Sequence, residues 1–100
     1  MSVRVPGSTK IKEKDITKQI RDYLNAKGIF HYKVWQGLGS AKGVPDIAGV
    51  LKGGRALYIE IKTPKGVVSE YQQDFINRVT ELGGLVFVAR CVEDVIKQGI

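Results

Sequence analysis

Between Pro45 and Ala89 the chain spells strand, glycine turn, strand, capped helix, strand, and this order leaves few ways to fold. Alternation along Ala56-Leu57-Tyr58-Ile59-Glu60-Ile61-Lys62 predicts a strand with Leu57, Ile59 and Ile61 on one face and Glu60 and Lys62 on the other. The apolar segment before it, from Asp46 to about Leu51, turns back through Lys52-Gly53-Gly54-Arg55, so its start lies beside the end of the next strand and Asp46 comes level with Glu60. Thr63-Pro64-Lys65-Gly66 then breaks the sheet. Ser69-Glu70-Tyr71-Gln72 reads as a capping box opening a helix with Phe75, Ile76, Val79 and Leu82 inward and Gln72 one turn earlier on the same face. Gly83-Gly84 ends that helix, and Leu85 to Ala89 is a buried strand. Reached through a helical crossover, it should pair parallel and right-handed with residues 56–62.

Upstream, an apolar stripe of Ile16, Ile20, Tyr23 and Leu24 predicts a helix from about Ile11 to Lys27, stopped by Gly28. Residues 1–10 read as a flexible basic arm, Phe30 to Gln36 as a strand, Gly37 to Gly43 as a flexible loop, and Glu93 to Gln98 as a short last helix. The expected fold is α/β, one mixed sheet flanked by helices in the order α-β-β-β-α-β-α. One hundred residues fit a single domain, here residues 11–100.

The hydrophobic fraction of 43% is that of an ordinary globular protein, and no apolar run approaches the roughly 18 residues of a membrane span. Nothing from Met1 to Lys14 resembles a secretory signal, and the one cysteine, Cys91, cannot form an internal disulfide, so a reducing, cytoplasmic setting is expected. Cys91 has no cysteine or histidine cluster nearby and reads as a small core residue near a strand end.

The net charge of +6 is unevenly spread. Residues 1–33 hold eight Lys/Arg against three acids, residues 34–66 five against two, and residues 67–100 three against five. The basic side thus coincides with the part carrying Asp46, Glu60 and Lys62, as expected if a polyanion must approach carboxylates that would repel it. Candidate polyanion contacts are Lys10, Lys12, Lys33, Ser40, Lys42 and Lys65. Hard carboxylate oxygens beside an ammonium suit Mg²⁺-assisted phosphodiester hydrolysis, the lysine steadying developing negative charge. Glu13 shares the stripe of Ile16 and Ile20; it is either a charge favoured by the helix dipole or a third acid leaning into the site. Gln72 is either a capping residue alone or also an amide at the site, since its helix leaves the end of the Glu60-Lys62 strand. His31 reads as structural, and Trp35 as a core residue before a base-stacking one. Gly37, Gly39 and Gly43 lack the spacing of a phosphate loop, which excludes a nucleoside triphosphatase of that type.

Gly43-Val44-Pro45-Asp46-Ile47, Tyr58-Ile59-Glu60-Ile61-Lys62-Thr63 after a thirteen-residue gap, Ser69 with Gln72, and Gly83-Gly84 before an apolar strand resemble the virus-type replication-repair nuclease (VRR-NUC) domain of the PD-(D/E)XK superfamily. The resemblance runs from Glu13 to about Ile96 and implies a restriction-endonuclease-like fold. It implies a metal-dependent deoxyribonuclease in which Asp46, Glu60 and the Ile61 carbonyl bind Mg²⁺ or Mn²⁺, Lys62 positions the nucleophile and Gln72 supports the site. Glu13 matches the family's first-helix acid and is a further candidate ligand. Stand-alone relatives look like homodimers, which implies symmetric nicking of branched DNA such as four-way (Holliday) junctions in repair or recombination, in a bacterial or phage-encoded protein. The alternatives are a non-catalytic nucleic-acid-binding module, which leaves the converging acids unexplained, and a sequence-specific restriction-type endonuclease, which this length disfavours.

Overall fold

A computed structural model describes residues 11–35 and 42–100, and the expected arm of residues 1–10, the last residue of the first expected strand, Gln36, and most of the glycine loop lie outside them. Three helices and four strands follow in the expected order: α1 (Glu13–Ala26), β1 (Phe30–Lys33), β2 (Ile47–Val50), β3 (Ala56–Ile61), α2 (Glu70–Glu81), β4 (Leu85–Ala89) and α3 (Val92–Ile96). One mixed sheet runs β1-β2-β3-β4. β1 and β2 are antiparallel, as are β2 and β3, with Ile47 opposite Ile59; β4 joins β3 in parallel, with Ile61 opposite Ala89.

Local chemistry sets the element ends. Helix α1 stops where the Gly28 amide donates to the Asn25 carbonyl and the Ile29 amide to that of Leu24, each at 3.0 Å or less. The β2–β3 hairpin closes through Leu51 and Arg55 at 2.7 Å, with positive φ at Gly53 and Gly54, a conformation that a side chain would strain.

The two faces of the sheet are packed unequally. Ile47, Leu57, Ile59, Ile61 and Ala89 share a core with Ile16, Ile20 and Leu24 of α1 and Val95 of α3. Burying three aliphatic side chains of α1 stabilises that docking by several kcal/mol, since each contributes about 1.5–3 kcal/mol. On the opposite face α2 covers the β3–β4 half, with the Phe75 ring edge-on to Tyr58 at 5.0 Å, yet none of its residues is fully buried. The β1–β2 half leaves Phe30, Tyr32 and Val50 exposed.

Several expectations need correction. Leu82 is 87% exposed rather than on the inner face of α2, because it caps the helix beyond the last residue that meets the sheet. Trp35 is 75% exposed rather than in the core, since β1 ends two residues earlier. Glu13 is exposed because it is the first helical residue, one turn before the buried stripe begins at Ile16. Cys91 is half-buried as the N-cap residue of α3. His31, by contrast, has the structural setting expected of it, its Nδ1 2.9 Å from the Ile29 carbonyl and its Nε2 accepting from Arg21 Nε at 3.3 Å.

This packing separates two leucine-sized truncations. Ile20→Ala, in the core, should cost about 2–5 kcal/mol, whereas Leu82→Ala should stay within about 0.5 kcal/mol. Chemical denaturation of both variants measures the difference, and equal losses would contradict the arrangement described.

Candidate active site

The site forms where β2 begins, β3 ends and α2 begins. Asp46 immediately precedes β2. Its Oδ2 accepts a 2.8 Å hydrogen bond from the Ile61 amide, and its carbonyl accepts from the Val34 amide at 2.8 Å. Antiparallel pairing of Ile47 with Ile59 brings Asp46 level with Glu60.

Glu60 is only 4% exposed, a burial that a carboxylate tolerates only when its oxygens are engaged. Gln72 engages one of them. Its Nε2 donates to Glu60 Oε2 at 3.0 Å, while its Oε1 accepts from the Ser69 amide at 2.9 Å and its own amide donates to Ser69 Oγ at 3.1 Å. The two roles weighed for Gln72 are therefore compatible: one end of the amide closes the capping box and the other holds the carboxylate. Lys62 Nζ stands 3.7 Å from the same Oε2, on a side chain only 14% exposed. Glu60 Oε1 is buried with no hydrogen-bond partner among the described residues.

Burial, and next the nearby Asp46 charge, push the Glu60 pKa from its ordinary 4.5 up to about 8. Lys62 opposes the shift, whereas the closeness of the Asp46 carboxyl and the more distant charge of Glu13 add to it. Without a bound metal ion, this shift favours the protonated carboxyl near neutral pH.

The structure thus gathers Asp46, Glu60, Lys62 and Gln72. Glu13 is near enough for its charge to act on Glu60, but among the described residues no three His, Cys, Asp or Glu side chains lie close enough to hold an ion together. Two carboxylates remain a sufficient protein ligand set for Mg²⁺, which keeps several waters and also takes oxygens from a substrate phosphate. The orphaned Glu60 oxygen beside Asp46 fits such an ion.

Of the candidate phosphate contacts, Lys12, Lys33, Lys42 and Lys65 are exposed, whereas Lys10 and Ser40 lie outside the described residues. Lys42 Nζ sits 4.8 Å from the centroid of the Tyr71 ring, one residue before Gln72. At the neighbouring Gly43, φ is +82° and an added Cβ would run into the Tyr71 carbonyl. Only glycine lets this segment press against the first turn of α2. Sequence reading missed that contact, for which the Gly43-Val44-Pro45-Asp46 run was the available signal.

The family model of the VRR-NUC domain matches residues 4–93. The chain belongs to the VRR-NUC domain family. It is accordingly a nuclease-type domain, for which the family implies DNA as substrate. A solved VRR_NUC domain protein shares the fold, with a TM-score of 0.72 over 88% of this chain and 84% of that one. At 18% identity that likeness speaks for the fold alone. No curated protein matches the chain significantly. No helix among the described residues is long and apolar enough to cross a membrane.

The raised pKa of Glu60 makes the stability of this VRR-NUC domain pH-dependent. Folding favours the protonated carboxyl, so its contribution is fully present below pH 4.5 and is lost as pH rises through about 8. In chelator, melting temperature should fall between pH 6 and pH 9. Glu60→Gln, which cannot ionise, should be the more stable protein at pH 9 by at least about 1 kcal/mol, roughly 4–8 °C for a domain of this size. Parallel curves for the two proteins would place the titration elsewhere.

Proposed function

We propose that this domain is a divalent-metal-dependent DNA endonuclease of the PD-(D/E)XK type, acting on branched DNA such as Holliday junctions during replication, repair or recombination. The observation that carries the reading is Glu60: a buried carboxylate with one oxygen held by Gln72 and the other unpartnered, beside Asp46 and Lys62. Asp46, Glu60 and the Ile61 carbonyl would hold Mg²⁺ or Mn²⁺. When bound, the metal would polarise the scissile phosphate and lower the pKa of a coordinated water.

The remaining work belongs to side chains of the chain itself. Gln72 fixes the rotamer of Glu60 and so spares the site that ordering step during reaction. Lys62 donates to the attacking water or to charge growing on the phosphate, from a position largely shielded from solvent, where such a donor is worth more than in water. Glu13, one helix away, would support the site through its charge. Lys12, Lys33, Lys42 and Lys65, with Lys10 and Ser40, would meet the phosphate backbone without reading bases. A non-catalytic binding module would be served by the lysines alone and gives no reason to bury Glu60 half-satisfied.

Labelled single-stranded, duplex, flap and four-way-junction DNA, incubated with Mg²⁺, Mn²⁺ or chelator, tests the reading. Asp46→Asn and Glu60→Gln should abolish cleavage while DNA binding survives, and Lys62→Ala should lose at least about a hundredfold in kcat. Glu13→Gln should lose roughly tenfold with the fold intact. Wild-type rates in the Asp46 and Glu60 variants would defeat the metal assignment.

Symmetric cutting of a junction needs two sites on one scaffold, and a homodimer supplies them. Support comes from the exposed Phe30, Tyr32 and Val50 on the uncovered half of the sheet, an apolar patch suited to self-association. Sedimentation should show a species of twice 11.0 kDa. Tyr32→Glu should shift it to monomer and convert paired nicks into single ones, whereas a wild-type monomer that cuts both strands in one binding event would refute the two-fold model.

A further inference from the structure

We propose that Arg90 is a positioning residue for the Lys62 ammonium, acting through the loop that joins β3 to α2. The inference deepens the nuclease reading and rests on it for its kinetic consequence.

Arg90 follows the last residue of β4, and the carbonyl of its neighbour Ala89 accepts the Lys62 amide at 3.1 Å. Parallel register, with Ile61 opposite Ala89, therefore sets Arg90 level with Lys62. The Arg90 guanidinium turns into the loop. A single nitrogen, Nη1, donates to the carbonyls of Thr63 at 2.6 Å and Gly66 at 2.8 Å, with Pro64 at 3.3 Å. Its own backbone is tied to α3, since the Arg90 amide donates to Asp94 Oδ2 at 2.8 Å.

Within the loop the Gly66 amide also donates to the Thr63 carbonyl at 3.0 Å. Pro64 and Lys65 are exposed, and Val67 is 81% exposed, so no apolar side chain pins residues 64–67. Charge-assisted bonds from Arg90 are what tie this turn to the end of β4, and such bonds are roughly twice as strong as neutral ones. The loop in turn walls in Lys62: a Cβ added at Gly66 would stand 3.3 Å from Lys62 Cδ and 3.4 Å from its Cβ.

That wall matters because no hydrogen bond among the described residues holds the tip of Lys62. The 3.7 Å separation of its Nζ from Glu60 Oε2 exceeds a hydrogen bond. A lysine stem has four rotatable bonds, so the position of Nζ depends on what confines the methylenes. Release of the Thr63–Gly66 segment would free them, and misplacement of a catalytic group by about 1 Å can cost on the order of a hundredfold.

The test compares full-length wild type, Arg90→Gln and Arg90→Lys, each checked for folding by circular dichroism. One readout is the rate at which Lys62 Nζ is acylated in the native protein, followed by mass spectrometry. The other is cleavage of labelled DNA with Mg²⁺ or Mn²⁺. Arg90→Gln should raise Lys62 acylation and lower kcat by about tenfold or more, with KM and DNA affinity within about twofold. Arg90→Lys, which keeps a charged donor, should fall between the two on both readouts.

Unchanged Lys62 acylation in a folded Arg90→Gln protein would overturn the proposal, as would unchanged kcat. A loss confined to KM and affinity would also overturn it, making Arg90 a phosphate contact. A wild type that cleaves no DNA would remove the nuclease reading, and the acylation rate would still decide whether Arg90 places Lys62.

Discussion

The hydrogen bond from Gln72 to Glu60 ties the secondary structure of this domain to its chemistry. Burying a carboxylate at 4% exposure is unfavourable by several kcal/mol unless something answers its charge or removes it. Here the raised pKa favours a neutral carboxyl when no metal ion is bound, and the Gln72 amide holds one oxygen in place. Because the same side chain completes the capping box, a capped first turn of α2 docked on the sheet presents its amide to Glu60.

The surrounding elements serve that junction from different directions. The hairpin through Gly53-Gly54 sets the register that brings Asp46 beside Glu60, and the parallel ladder with β4 fixes the end of β3 from its other edge. Gly43 lets the chain before Asp46 lean on the Tyr71 carbonyl, and Arg90 gathers the loop leading to Ser69. The two faces of the sheet divide the labour. The α1–α3 face contains the aliphatic core, and the α2 face contains the polar site, with the Tyr58–Phe75 contact separating it from the exposed helix end.

Much of this was legible in the sequence because it depends on short-range periodicity. Two-residue alternation placed Glu60 and Lys62 together, the Gly-Gly turn brought Asp46 level with them, and the Ser69–Gln72 spacing announced the cap. What was not legible depends on where elements stop. Trp35 read as core because β1 was expected to reach Gln36, and Leu82 because the apolar spacing of α2 runs one residue past its contact with the sheet. Glu13 lies on the right stripe but on the turn before burial begins. The Arg90 clamp has no sequence signature, since its acceptors are backbone carbonyls 24 to 27 residues away and carbonyls are common to every residue type. Membership of the VRR-NUC family identifies the nuclease-type domain, whereas these contacts give this chain its particular site.

The absence of any fully buried residue in α2 has a consequence for how the molecule breathes. Lifting α2 from the sheet exposes far less apolar surface than separating α1, whose Ile16, Ile20 and Leu24 are sealed in the core. Sub-global opening therefore starts at α2, at a free energy below that of complete unfolding. Such an opening parts Gln72 from Glu60 and admits water to the carboxylate while the aliphatic half stays folded. The half that carries the reactive groups is the pliable half, resting on one that does not yield.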